Sequence, residues 1–214
     1  MEIKKVSVLS EPYSVWEIAS AYSEAYGRSP WFEGYVCPVC RSSFGLDKEL
    51  TICPKCMTEE KLINLIEYWP KSKIISDFYT ENTKDGSICL VAKKKGNIVA
   101  FAWGYPLKIS PESSNKIDAP GLENKITDSE VFYLDECAVL PKYQFQGIGK
   151  SLVKEFLRLQ PRDKMFLRTL ADSPMQKLVE NLNGKKIMAI SEGRVIMELI
   201  KFEKLQDYTI PPHY

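Results

Sequence analysis

Residues 131–160 read VFYLDECAVLPKYQFQGIGKSLVKEFLRLQ, and this stretch decides the fold. Val131, Phe132, Tyr133, Leu134 and Val139 suit a buried strand. Asp135 and Glu136 interrupt it, and charges inside such a strand are costly unless they face a cleft or a partner. Alternation along the strand predicts that Asp135 points to the face opposite Glu136. Pro141 cannot donate to a ladder and ends the strand. A short loop, Gln144, Phe145, Gln146, Gly147, Ile148 and Gly149, then opens directly into a helix. Leu152, Phe156 and Leu159 recur there at helical spacing, with Lys150, Lys154 and Arg158 on other faces. Gly147 and Gly149 let the backbone come close to a ligand. The first N–H groups of the helix lack intrahelical partners and stand at the positive end of its dipole. Strand, glycine-bearing turn and helix in this order build an anion site, which implies a phosphate-bearing cofactor. A dinucleotide fingerprint needs three glycines at its own spacing. A P-loop ends in Gly149-Lys150-Ser151 but needs glycine at position 144, where Gln144 stands.

Outward from this unit the pattern alternates. Residues 1–9 read as a strand and 12–26 as a helix carrying Trp16, Ile18, Ala19 and Tyr22. Residues 58–69 read as a second helix with Thr58 as N-cap and acids in its first turn, and 74–80 as a further helical turn. Residues 87–93 and 97–107 alternate around Lys94-Lys95-Gly96 as a hairpin. Residues 108–130 read as a long polar loop, functional or mobile. Beyond the anion-loop unit, 164–170 read as a strand and 173–182 as a helix with Ser173 as N-cap and Pro174 at its first position. Residues 187–191 and 195–202 form a second hairpin, and 203–214 a loose tail. Strands mixed with helices in this order predict an α/β (α+β) domain with a mixed central sheet flanked by helices.

Gln144-x-x-Gly147-x-Gly149 after an acidic-then-apolar strand resembles the acyl-CoA loop of the GNAT N-acetyltransferase superfamily, and the order of elements is similar over most of the chain. The resemblance implies acetyl-CoA or a related acyl-CoA as donor. The backbone of Cys137, Ala138 and Val139 would pair with the pantetheine arm like an added strand. The main-chain amides of Gln144, Phe145, Gln146, Gly147, Ile148, Gly149 and Lys150 would hold the pyrophosphate. Lys142 and Lys150 are either phosphate ligands or plain solvated lysines. Glu136 stands where many members carry a carboxylate, which makes it the expected general base, its pKa raised by burial beside a cleft. Val179 falls where the family's usual acid, a tyrosine, is expected, and Asp172 replaces an asparagine. The acid stays unassigned among Tyr133, Tyr105 and the C-terminal tyrosines. Pro30-Trp31-x-Glu33 resembles an acceptor-side segment of small-molecule members. There the aromatics and carboxylate either grip a cation or pack beneath the cysteine knuckles.

Four of the six cysteines form two Cys-x-x-Cys pairs, Cys37/Cys40 and Cys53/Cys56. This spacing reads as tetrahedral zinc held by four thiolates, a closed and therefore structural site. Paired disulfides would need an oxidising compartment, for which there is no signal. The reading is thus an acetyltransferase domain over 1–36 and 57–214, with a zinc ribbon inserted over 37–56. Cys89 and Cys137, inside apolar runs, read as small buried hydrophobes.

The chain has 214 residues and a formal net charge of +1. No global field marks it for nucleic acid or an acidic membrane, and the charge-mixed segment between the cysteine pairs argues against a phosphate grip. No run of eighteen apolar residues and no signal peptide is legible, so a cytoplasmic protein is expected. The partner is an amine acceptor, a small molecule or a peptide. Two rival readings are an acyl-CoA-binding regulator without catalysis and a zinc-ribbon nucleic-acid- or protein-binding module.

Overall fold

A computed structural model describes residues 1–6, 12–29, 31–46, 49–56 and 63–201. Its frame is a seven-stranded sheet in the order β1-β5-β6-β7-β8-β10-β9. These strands are β1 (Glu2–Lys5), β5 (Ile88–Lys94), β6 (Asn97–Lys108), β7 (Glu130–Val139), β8 (Lys164–Leu170), β9 (Lys185–Ala189) and β10 (Arg194–Ile200). Among the described residues only β7 and β8 run parallel, joined by the crossover helix α4 (Ile148–Leu159), as a parallel pair requires. Helices α1 (Pro12–Tyr26) and α2 (Lys71–Asn82) cover one face. Helices α4 and α5 (Pro174–Glu180) cover the other.

The two faces follow from alternation. Leu90, Ala102, Phe132, Leu134, Leu167 and Met197 pack with Leu152, Phe156 and Val179 beneath α4 and α5. Cys89, Val91, Phe101 and Trp103 pack with Ile18, Tyr22 and Phe78 beneath α1 and α2. On that same face, toward β10, Tyr105, Tyr133, Phe166 and Ile196 form a third cluster.

Between α1 and α2 stands a small three-stranded sheet in the order β3-β2-β4, made of β2 (Tyr35–Val36), β3 (Ser43–Phe44) and β4 (Ile66–Glu67). It is tied to the end of α1: the Leu46 amide donates to the Gly27 carbonyl at 2.6 Å. The Leu46 side chain lies so close over Gly27 that a Cβ there would stand 2.3 Å from it.

Three expectations change. The helix predicted over 58–69 is, in its described part, β4 and an isolated bridge from Asn64 to Ile52. Residues 57–62, including the expected cap Thr58, lie outside the described residues. Ile63 and Leu65 exchange backbone bonds with Cys53 and Thr51 at 2.7 and 2.9 Å. Pairing with the second cysteine knuckle therefore overrides helical spacing. The second helix is instead α2, longer than the turn expected over 74–80. The loop predicted over 108–130 contains helix α3 (Pro111–Lys116), closed by a capping box between Ser110 and Ser113. The expected strand over 1–9 is described only through β1, and the tail from 203 lies outside the described residues.

Candidate functional site

The site begins where β7 parts from β8. Their pairing covers only Phe132↔Met165, Tyr133↔Phe166 and Leu134↔Leu167. Beyond Leu134 the strands splay, and the β7 edge from Asp135 to Val139 faces an opening instead of a ladder. On its other side β7 stays paired to β6, with a shift between Trp103/Gly104: Trp103 faces Glu136 and Gly104 faces Leu134. Asp135 is the extra residue of a β-bulge. Gly104 permits it, because a Cβ there would stand 2.2 Å from the Tyr133 carbonyl oxygen.

The bulge corrects the sequence reading of Asp135. It turns Asp135 and Glu136 to the same face, both toward α1 and α2, and both line one cleft of about 1050 Å³. Glu136 is held by two helix tyrosines. The Tyr22 hydroxyl donates to Oε1 at 3.0 Å and the Tyr26 hydroxyl donates to Oε2. Burial, then the neighbouring Asp135 charge, push the Glu136 carboxyl up to about 8, while the two tyrosine hydrogen bonds pull it back down. Burial raises the pKa of Asp135, and the polar groups of Glu81 of α2 and Tyr105 beside it pull it back down. Glu81 accepts from the Trp103 indole N–H at 2.6 Å and is raised to about 9, again chiefly by burial. Like charges in one buried site disfavour each other, so this pair keeps a proton to higher pH than a lone carboxyl. Behind Glu136 there is thus a proton-holding pair.

One wall of the cleft comes from the chain between α1 and α2. Trp31, Glu33, Val36, Arg41, Tyr68 and Trp69 line the cleft. Trp69 donates its indole N–H to Glu33 Oε2 at 2.8 Å, and burial raises the Glu33 carboxyl. Trp31 packs edge-on against the Tyr26 ring at 5.5 Å, while Phe32 is largely exposed.

At the other end of the cleft lies the glycine-bearing loop expected to bind an anion. Gly147 caps α4 with φ of 78°, a left-handed conformation that glycine adopts freely. The amide of Gln144 bonds the Pro141 carbonyl at 3.3 Å, and the next amide engaged with a carbonyl is Ser151, to Gly147, at 3.0 Å. Among the described residues, the amides of Phe145, Gln146, Gly147, Ile148, Gly149 and Lys150 donate to no backbone carbonyl, so they are available to an anion. The Gln144 side chain ties the loop to the Val139 carbonyl at 3.1 Å. Cys137, Ala138, Val139, Gln144, Phe145, Gly147, Gly149 and Lys150 all line the cleft; Gln146 and Ile148 do not. Burial pushes the Cys137 and Cys89 thiols up to about 12, so both remain neutral.

The four paired cysteines converge. The sulfurs of Cys37, Cys40, Cys53 and Cys56 lie within 4.8 Å of one another. Cys37–Cys56 and Cys40–Cys53 stand 3.8 and 3.7 Å apart. A tetrahedron with metal–sulfur bonds of about 2.3 Å has edges of about 3.8 Å, whereas a disulfide would need about 2.05 Å. The amides of Val39 and Cys40 both point at the Cys37 sulfur at 3.4 Å, as in a metal knuckle. The donor set fits zinc.

Tyr22 and Tyr26 are candidate site residues the sequence reading did not find, although their i, i+4 spacing puts both on one helix face. Tyr105 and Tyr133 are buried in the third cluster and do not line the cleft. Val179 is fully buried against the sheet, and its neighbours Leu178 and Asn181 face the cleft instead.

A model of the acetyltransferase (GNAT) family matches residues 56–180, more than half of the chain. Among solved structures, the GNAT domain of S. lividans PAT superposes with a TM-score of 0.56 at 12% identity, covering 92% of this chain and 89% of that one. The PaiA N-acetyltransferase from Thermoplasma acidophilum, in complex with coenzyme A, gives 0.51 at 13%, covering 94% and 99%. An aminoglycoside 6'-N-acetyltransferase from Acinetobacter haemolyticus gives 0.53 at 10%, covering 89% and 94%. At these identities the likeness is one of fold. No curated protein sequence matches the chain.

Proposed function

The chain belongs to the acetyltransferase (GNAT) family, and from that premise we propose that it moves an acetyl group from acetyl-CoA directly to an amine. The observation that carries this reading is the place of Glu136: partly buried, turned into the cleft by a bulge, beside the opening between β7 and β8. Acetyl-CoA, when bound, supplies an activated acyl carbon. The free edge of Cys137, Ala138 and Val139 would take the pantetheine arm as an added strand. The amides from Phe145 to Lys150 would hold the pyrophosphate at the start of α4. The Gln144 amide, already bonded to Pro141, contributes through its side chain by fixing the loop.

Glu136 takes the proton from the incoming ammonium, which has no lone pair until it does. A carboxyl near pH 8 is well matched to an amine. A backbone N–H of β7 would stabilise the negative charge growing on the acyl oxygen. No cleft tyrosine is assigned as the acid. Tyr22 and Tyr26 are already bound to Glu136; Tyr68 and Tyr143 also line the cleft, and either another residue supplies the proton or the thiolate departs unassisted.

Residues 37–56 form a structural insert in which Cys37, Cys40, Cys53 and Cys56 hold zinc. Four free thiolates need a reducing compartment, which favours the cytoplasm. No helix among the described residues is long and apolar enough to cross a membrane. The acceptor is a small-molecule or peptide amine. The rival reading, acyl-CoA binding without transfer, draws on the absence of a tyrosine at Val179.

Free CoA release across an amine panel tests the reading. Glu136→Gln should cut turnover by about 100- to 10,000-fold while acetyl-CoA still binds. Unchanged turnover removes Glu136 from the chemistry. No turnover with any amine, alongside tight acetyl-CoA binding, supports the regulator.

A further inference from the structure

Two arginines stand side by side on the floor of the acceptor half. Arg168 of β8 pairs with Ile196, and Arg194 of β10 pairs with Leu170. Arg194 is therefore the diagonal neighbour of Arg168, about 7–8 Å away between Cα atoms. Phe166 and Ile196, two residues from each, lie in the cluster on the α1/α2 face. Both arginines thus share the face of Glu136, and both line its cleft. Arg168 follows the last paired residue of β8, Leu167, and its charge is felt by Asp135.

Both guanidiniums are mostly covered, with side chains 28% and 21% exposed. Their acidic partners are not. Asp118, 2.5 Å from Arg168, is 63% exposed, and Glu192, 3.6 Å from Arg194, is 73% exposed. Ion pairs to such exposed acids contribute little and exchange readily with another anion. Donors also remain. Arg168 engages only one terminal nitrogen, with Asp118 and the Ile117 carbonyl. Arg194 is not close enough to Glu192 for a hydrogen bond. A guanidinium offers five N–H donors in a fork that fits oxyanions. Among the described residues most of these ten are unclaimed, and they line a cleft. The cleft acids that share their field are Glu33, already bonded to Trp69, and Asp135 and Glu136 beside Arg168, both held by burial above the ordinary carboxylate range. A third cation, Arg41, stands at the rim beside the cysteine knuckle.

We propose that the acceptor carries an oxyanion, a carboxylate or a phosphate, which Arg168 and Arg194 grip while its amine reaches Glu136. The proposal rests on the acetyl-transfer reading and narrows it from amines in general to anionic amines. Arg168 and Arg194 are specificity-determining residues on this view, and neither takes part in proton transfer.

The test uses the full metal-loaded chain and matched amines that differ only in the anion: lysine against 1,5-diaminopentane, and phosphoethanolamine against ethanolamine. Quenching of tryptophan fluorescence in the presence of CoA reports acceptor binding, since Trp31 and Trp69 line the cleft. The anionic member of one pair should bind at least about tenfold more tightly. The pair that responds tells carboxylate from phosphate. Arg194→Gln should erase the preference, Arg194→Lys should keep part of it, and acetyl-CoA affinity should hold in both. Equal or weaker binding of the anionic member in both pairs overturns the proposal, as does a preference that survives Arg194→Gln. Failure of the wild-type chain to bind acetyl-CoA would instead sink the transfer reading, because acceptor quenching is read without any acyl donor.

Discussion

Removing the Tyr26 hydroxyl should make the enzyme a high-pH catalyst. Tyr26→Phe keeps the ring against Tyr22 and Trp31 and deletes one donor to Glu136. That bond favours the ionised carboxylate, so its loss must raise the Glu136 pKa above its starting point of about 8. A hydrogen bond to a charged group contributes about 1.5–3 kcal/mol, and about 1.36 kcal/mol corresponds to one pKa unit. The expected rise is one to two units. The base works only when ionised. With a pKa near 8 about one Glu136 in eleven is ionised at pH 7, so each further unit lowers that fraction about tenfold. Activity at pH 7 should therefore fall about 10- to 100-fold, with the deficit closing above about pH 10. The assay is kcat/KM for free CoA release, plotted as the ratio of variant to wild type across pH. The ratio cancels the ionisation of the acceptor amine. A ratio flat with pH, or an apparent pKa that moves down, refutes the argument that the hydroxyl acts on Glu136 ionisation.

Asp135→Asn should act in the opposite sense: it deletes the charge that raises the Glu136 pKa, so the pH–rate profile should move to lower pH. Gly104→Ala forces a Cβ to within 2.2 Å of the Tyr133 carbonyl oxygen. It should cost about 1–3 kcal/mol, read as a melting temperature lower by about 2–4 °C per kcal/mol, and turnover should fall further as the bulge is displaced. Stripping metal with a chelator should release the β3-β2-β4 sheet and move Trp69 emission to the red. Acceptor KM should then rise while acetyl-CoA affinity holds. A loss of acetyl-CoA binding on chelation would show that the module supports the whole domain.

What could be read from the chain was whatever rests on local chemistry. The anion loop was legible because its apolar strand, two glycines and amphipathic helix lie within thirty residues. The cysteine tetrad was legible because knuckle spacing is itself the signal. The bulge at Asp135 was not, because it is a property of register between β7 and β6, and Gly104 lies thirty residues upstream. Alternation alone sent Asp135 to the wrong face. Residues 63–66 carry apolar side chains that satisfy both periods, and only the partner strand at Thr51–Cys53 decides between them. The short helix α3 had its signal in Ser110, Pro111 and Ser113, masked by the polarity around it. Tyr22 and Tyr26 were visible as a helical pair, but only the fold brings them to Glu136, more than a hundred positions away.

The two halves of the cleft are written in different materials. The loop at residues 145–150 offers main-chain amides, so almost any residue serves there if the turn keeps its shape. Mutation can drift across it without changing the donor. Opposite it, the wall is built of individual side chains such as Glu33, Arg168 and Arg194, where one codon rewrites the chemistry. On the acetyl-transfer reading, the donor is thus the inherited constant of this architecture, and the acceptor is its evolvable variable.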